Sequence, residues 1–388
     1  MVEDGFFNIL GAEVSILEPK LAMLDTGTIV QAVASLGDLH VKELRKLLDS
    51  GKWIPYVTWH HLEELVSIEN NDVVRRRFNF FEGLPHIAYL KQTRDGPNLG
   101  SAIDVRDCEI AYLADHPGAS HADVIQGVWP EVRSGFCTGK EFVQENREWW
   151  RFFQAHCAEQ TRHQKEEIAN VSHFPTTDIR ERLPEKGRSA PTNSIQESRR
   201  QFLRMTHKLQ RQIETRGDCR HLDPEAMALK LMREAYQDSV SIVENGADHV
   251  EAMLKRYGVS RDRLPKNPTW EDVGYEAIFV AQLGVHARRL LRNKEELLRL
   301  VRKEQIPGWA VWEAVDRRMK QLATAEIGNV NDKHMLNFGP YVDVVNVDKR
   351  IADLLGRASS AHPLLRDVYK KVPAGRGLRG LVDHLRRS

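Results

Sequence analysis

The residues that offer chemistry in this sequence are carboxylates at the ends of apolar runs. Two of them stand in Gly328–Arg350, near the C-terminus. Tyr341 to Val347 is an apolar run rich in β-branched residues that follows the Gly339-Pro340 break, and it reads as a buried strand. Asp332 precedes the break and Asp348 ends the strand. Others stand near the N-terminus. Leu21 to Leu24 is a short apolar strand that ends in Asp25 and the turn residues Thr26-Gly27. Ile54 to Thr58 reads as a second strand and runs into a helix, Trp59 to Val66, which carries Glu63 and Glu64. Carboxylates at strand ends and helix starts can converge on one point, and such a cluster suits hard divalent cations, which take oxygen ligands.

The order of these elements is strand–Asp, strand–helix–Glu, a long gap, then Asp–strand–Asp. In these residues the chain resembles the PIN-like nucleases, whose acidic site is assembled from such elements in this order. The segment Asp332-x-His334, Pro340-Tyr341-Val342-Asp343, Val347-Asp348-Lys349-Arg350 is most similar to bacterial PIN-like branches. The resemblance covers residues 20–90 and 325–355, approximately, and leaves the middle uncovered. It implies an α/β fold: a PIN-like parallel sheet with flanking helices, interrupted by a large, mostly α-helical insertion. It also implies a nuclease that hydrolyses phosphodiester bonds with Mg²⁺ or Mn²⁺ held by Asp25, Glu64, Asp332 and Asp348. Single-stranded RNA is favoured over DNA by the resemblance alone. The spacing from Val57-Thr58 favours Glu64 over Glu63, with Glu63 the alternative ligand. His334 and Lys349 are candidates for supporting the ligands or touching phosphate. Asp343, five residues before Asp348, points to the opposite face of a regular strand and is left out. The chain departs from the family in its long middle, which bears on substrate choice. It departs again at Asn346, where many relatives carry a hydroxyl, which bears on local support.

Plainer roles compete for the same residues. An Asp before Thr-Gly commonly serves as an N-cap or turn residue. Glu64 suits a solvated helix face, with Leu62, Leu65 and Val66 as the buried stripe. His60 and His61 share a face with Glu64 and read more readily as polar surface than as groups that orient a carboxylate. Arg75, Arg76 and Arg77 splay around a helix axis, which reads as a solvated face rather than a phosphate platform. Trp149, Trp150, Phe152 and Phe153 read as core.

The whole chain sets the bounds. At 388 residues, 41% apolar and 29% charged, it is an ordinary globular sequence with room for two domains. A net charge of +1 carries no global polyanion signature, so a nucleic-acid surface must be a local patch. Cys108, Cys137, Cys157 and Cys219 are widely spaced without a CxxC pair, which argues against structural zinc and a disulfide framework and suits a reducing cytosol. The start lacks the pattern of a secretory signal, and no apolar run approaches the ~20 residues of a membrane helix. A cytoplasmic protein without a membrane partner is the expectation.

The expected organisation is a PIN-like core in residues 20–95 and 323–356, a helical insertion over 96–322, and a basic tail over 357–388. Within the insertion, periodicity predicts helices over Arg106–Ala114, Glu141–Arg162, Ser198–Thr215, Pro224–Tyr257, Thr269–Glu304 and Gly308–Thr324, with a long loop over 170–198. Such an insertion is expected above the strand ends, as a lid, a substrate surface or a partner platform. Two of its helices are basic. One carries Arg199, Arg200, Arg204, Lys208 and Arg211, the other Arg288, Arg289, Arg292, Lys294, Arg299, Arg302 and Lys303. The tail adds Lys370, Lys371, Arg376, Arg379, Arg386 and Arg387. Each stripe suits a phosphate backbone, and each also suits ordinary solvation.

Two further readings stand beside the nuclease. Arg151…His156 and Arg216…His221 fit the Arg-x4-His pattern of metal-independent HEPN-type ribonucleases, a short pattern that a chain rich in Arg and His meets by chance. The non-enzymatic reading is a silent PIN-like scaffold that binds protein or nucleic acid. A toxin, an antiviral effector and an RNA-processing factor are not separated by these residues. The first two require restraint by the insertion or by a separate partner; a regulatory protein or a homo-oligomer is the further partner expectation.

Overall fold

The computed structural model describes residues 19–68, 70–92, 98–147, 149, 154, 195–216, 223–230, 232–233, 249–319, 333–360, 362–375 and 377–388. Asp332, Arg151, His156 and His221 lie outside these residues, as do Trp150, Phe152, Phe153, Cys157 and Cys219.

The described chain is an α/β protein. In order it forms β1 (Lys20–Met23), α1 (Thr26–Ala34), α2 (Leu39–Asp49), β2 (Trp53–Tyr56), α3 (Trp59–Val66), α4 (Asn71–Glu82) and β3 (Ile87–Tyr89). Then come α5 (Ala102–Asp115), α6 (His121–Val132), β4 (Gly135–Cys137), α7 (Ile195–Arg216), α8 (His249–Arg256), α9 (Trp270–Arg289), α10 (Lys294–Leu300) and α11 (Pro307–Met319). A 3-10 turn, Leu336–Tyr341, leads into β5 (Val344–Val345), α12 (Lys349–Ala358), α13 (Pro363–Lys370) and α14 (Gly377–Arg387).

One five-stranded sheet has the order β4-β3-β2-β1-β5. β1 pairs in parallel with β2 (Leu21 opposite Ile54) and with β5 (Met23 opposite Val345), and β2 pairs in parallel with β3. β4 runs antiparallel to β3, so the sheet is mixed where a parallel one is expected. Three residues, Gly-Phe-Cys, are too few to carry an alternation signal, which is why β4 is silent in the sequence.

Side chains alternate across a strand, and here both faces are buried. Leu21, Met23, Ile54, Tyr56, Ala88 and Val345 point into one apolar cluster with α5, α6, α9, α11, α12 and α13. Ala22, Leu24, Trp53, Val57, Ile87, Tyr89 and Val344 point into the other, with α1 to α4 and α14. Four helices from the stretch read as an insertion, α5, α6, α9 and α11, therefore cover a face of the sheet. The expected place above the strand ends does not describe them.

Two further differences have local causes. The apolar run Tyr341–Val347 is mostly not strand: only Val344–Val345 pair with β1, and the preceding residues coil into the 3-10 turn. Burial, not β pairing, keeps that run apolar. The helix expected over Thr269–Glu304 breaks after Arg289, where Leu291 takes a positive φ of 54° and Asn293 Oδ1 accepts the Glu296 N–H to start α10.

Candidate functional site

β1 and β5 are adjacent and parallel, so their C-terminal ends open on the same edge of the sheet. Asp25 follows β1 as the N-cap of α1, and Asp348 follows β5 as the N-cap of α12. Asp348 Oδ1 accepts the Ile351 N–H at 2.6 Å. Asp25 feels the charge of Asp348. The Asp25 pKa is raised first by burial and also by the Asp348 charge, while the N–H groups of Gly27, Thr28 and Thr26 pull it back down. A Cβ on Gly27 would stand 2.8 Å from Asp25 Oδ2, so only glycine lets the carboxylate lie against this turn. Capping alone does not call for two charges here, since Asn caps a helix as well as Asp.

Several side chains fix the loop that carries Asp25. Asn346 Oδ1 accepts the Asp25 N–H at 3.1 Å and the Thr28 hydroxyl at 2.8 Å. His61 lies fully buried between β1 and α3. Its Nδ1 accepts the Thr58 N–H at 3.0 Å, which fixes the tautomer, and its Nε2–H then donates to the Leu24 carbonyl at 2.6 Å. Burial lowers the His61 pKa to about 4, so the ring stays neutral. The expectation of polar surface is thus corrected for His61, and for His60 too, which is also buried. The signal missed was Thr58 three residues before His61, a helix start in which the imidazole takes the place of a capping Glu.

Glu64 is half-buried on α3, one helical turn beyond His61 and so on the face that meets the end of β1. Glu63 is one turn beyond His60, whose Nδ1 it approaches at 3.6 Å. His60 Nε2 accepts the Ala102 N–H at 3.3 Å, and its ring stacks on His334 with centroids 5.3 Å apart. His334 is held well below the ordinary histidine range by burial first, then by the neighbouring His60 and the cations Lys333 and Arg106. The chain just past Asp332 therefore runs beside the start of α3. Asp332 itself lies outside the described residues. Among the described residues, no group of three or more His, Cys, Asp or Glu gathers where a metal ion could be held. What does converge is the Asp25–Asp348 pair. Asp343 sits at the opposite end of β5, where its Oδ2 accepts the Leu21 N–H at 2.7 Å. Lys349 is exposed at the start of α12.

A second polar centre, absent from the sequence reading, lies under the 3-10 turn. Glu109 Oε1 accepts the Tyr341 hydroxyl at 2.7 Å and the Gly308 N–H at 2.8 Å. One turn away on α5, Arg106 donates to Asn337 Oδ1 at 3.0 Å and Gln282 Oε1 at 2.7 Å, with its guanidinium against Trp309 and Trp312. Burial pushes Glu109 up to about 7 and Arg106 down to about 10. This centre ties α5, α9 and α11 to the segment that leads into β5. No helix among the described residues is long and apolar enough to cross a membrane. No protein-family model, curated protein or solved structure matches the chain.

Proposed function

We propose that the chain is a PIN-like nuclease that hydrolyses phosphodiester bonds, in single-stranded RNA before DNA, with Mg²⁺ or Mn²⁺. The observation that carries this reading is the placement of Asp25 and Asp348 at the ends of adjacent parallel strands, close enough for the Asp348 charge to act on Asp25. Two neighbouring carboxylates are relieved by a proton or a cation bound near them. Asp25 and Asp348 would hold the ion, with Glu64 and Asp332 as the further proposed ligands. When bound, the ion supplies a lowered water pKa and neutralises charge on the phosphoryl oxygens. The chain's own part is to hold the carboxylates still. Asn346 accepts the Asp25 N–H and His61 donates to the Leu24 carbonyl, which fixes the backbone on either side of Asp25. A raised Asp25 pKa means that the free site retains a proton more readily and releases it on cation binding. The place of β1 between β2 and β5 gives further support, because it sets the Asp25 loop beside both α3 and Asp348.

The silent scaffold is the second reading, and what favours it is that no three ligand-type side chains gather among the described residues. The test is cleavage of labelled single-stranded RNA and DNA by wild type and Asp348→Asn, with Mn²⁺ and with EDTA. The nuclease reading expects cleavage to disappear in EDTA and to fall at least ~100-fold in the folded variant, the scale of an electrostatic contribution to catalysis. Cleavage that persists in both moves the chemistry elsewhere in the chain. Absent cleavage, together with a thermal midpoint that Mn²⁺ leaves unmoved, selects the scaffold.

A further inference from the structure

The structure sorts the basic stripes by what their charges already do. On α9 and after it, Arg289 pairs with Asp104 and Asp107, Arg292 with Asp115, Arg302 with Asp262, and Lys303 with Glu313. On the C-terminal helices, Lys370 pairs with Asp367, Arg379 with Asp383 and Arg386 with Glu43. Lys371 spends its ammonium on the carbonyls of Gly339 and Pro340. Those charges are paired within the chain, while Arg288 and Arg299 donate to the Gly284 and Glu295 carbonyls of their own helices.

α7 is different. Leu209 and Ile213 are buried against Ala228 and Met232 of the following helical residues, with Phe202 and Met205 at the edge of that cluster. Arg200, Arg204, Lys208 and Arg211 are exposed, with His207 among them. At 100° per residue these positions fall within one face, opposite the apolar one. Among the described residues no carboxylate is paired with Arg200, Arg204 or Lys208. The described acid of this helix, Glu214, instead accepts from Gln210 at 3.0 Å. Like charges in i,i+4 succession repel, so this face carries a cost that an external anion relieves.

We infer that the exposed face of α7 docks the phosphodiester backbone of a single nucleic-acid strand; the choice of RNA as its probe rests on the proposed function. Successive charges advance about 6 Å along the helix, and Arg200, Arg204 and Lys208 span about 12 Å. That is a line of regularly repeated anions rather than one compact anionic group. Phe202 belongs to the buried side, so among the described residues the imidazole of His207 is the one ring on this face. Recognition here is therefore of phosphate, without sequence preference.

The test uses the full chain in an Asp25→Asn background with EDTA, so that binding is read without cleavage. Anisotropy of a labelled oligouridylate is measured across a salt series for that parent, for Arg200→Gln/Arg204→Gln/Lys208→Gln, and for a control, Arg292→Gln/Arg302→Gln. The parent is expected to bind with a steep salt dependence. The α7 triple variant is expected to weaken binding at least tenfold at low salt. Its slope of log K on log salt should shrink by about 2, since each phosphate contact on a single strand contributes about 0.7. The control should keep the parent slope. Unchanged slope in the triple variant, equal loss in the control, or no salt-dependent binding by the parent would overturn the inference. Displacement of the oligonucleotide by polyglutamate at equal charge concentration would overturn it too, in favour of an acidic protein partner. A chain that binds through α7 and yet fails the cleavage test refutes the nuclease reading and leaves this one standing.

Discussion

Replacing Glu109 by Gln should stabilise the protein, and by an amount that depends on pH. Glu109 is fully buried, and burial is the largest influence on its carboxyl, outweighing the Tyr341 hydroxyl, the Gly308 N–H and the Arg106 charge that favour the ionised form. Its pKa rises from an ordinary 4.5 to about 7. Below pH 4.5 the carboxyl is protonated folded and unfolded alike, and its full contribution to stability is present. As the pH climbs through 7 the folded protein must ionise a buried group, and the contribution is lost. At ~1.4 kcal/mol per pH unit the loss is about 3 kcal/mol. Gln mimics the protonated form: its carbonyl can still accept from Tyr341 and Gly308, and no charge develops. The counter-argument is Arg106, which would face Gln without a carboxylate, and breaking a buried pair often costs about 3–5 kcal/mol. Arg106, however, already has Asn337, Gln282 and two indole faces. It is also the last of the influences on Glu109.

The assay is urea unfolding of wild type and Glu109→Gln at about pH 4.5, 6 and 8.5. The expected difference is near zero at the lowest pH and about 3 kcal/mol in favour of the variant at the highest. His61 and His334 titrate in the opposite sense over the same range, but they are common to both proteins and cancel in the difference. A variant less stable than wild type at pH 8.5, or a difference that does not change with pH, refutes the reasoning.

Two other changes act elsewhere. His61→Leu strands the Thr58 N–H and the Leu24 carbonyl in the core, at about 1–3 kcal/mol each, so urea unfolding at neutral pH should show a loss of about 3 kcal/mol. The gap should narrow as pH falls from 6.5 to about 4, because wild type is most stable while the ring is neutral in both states and loses that advantage once protonation sets in; a gap that widens refutes the assignment. Leu291 is 94% exposed at a positive φ, so Leu291→Gly should raise stability by about 1 kcal/mol in the same assay, and a loss would mean that the side chain supports the α9–α10 turn.

What was legible in the sequence, and what was not, divides along physical lines. The strands with β-branched or apolar alternation, β1 and β2, were readable, as was the Asp that ends each carboxylate-bearing run. α5 was readable in position but not in role, because Arg106 and Glu109 look like ordinary charges on a helix until burial is known. β4 was unreadable at three residues. The Tyr341–Val347 run was read as strand because apolar content reports burial and not backbone conformation. Glu64 over Glu63 rested on spacing. Glu64 follows His61 by one turn and Glu63 follows His60 by one turn, while Asp332 lies outside the described residues. The basic stripes looked alike in sequence, since charge pairing between α9 and α5 spans 182 or more positions along the chain.

Four helices from the middle of the chain bear on the carboxylates through packing. α5, α6, α9 and α11 bury the face of the sheet that holds Leu21, Met23, Tyr56 and Val345. Glu109 on α5 then fixes Tyr341, three residues before β5, and α11 contributes the Gly308 N–H to the same carboxylate oxygen. A Cβ on Gly308 would meet the Asn337 carbonyl at 3.1 Å and Glu109 Oε2 at the same distance, so a side chain there would push one of them back by a few tenths of an ångström. The register of β5 against β1, and with it the separation of Asp348 from Asp25, is thus set from both faces of the sheet. On one side Asn346 and His61 hold the Asp25 loop; on the other, α5 and α11 hold the segment that delivers Asp348. A displacement of either layer by one residue along the strand would turn Val344 and Val345 to the wrong faces. The carboxylate pair is therefore as rigid as the core beneath it.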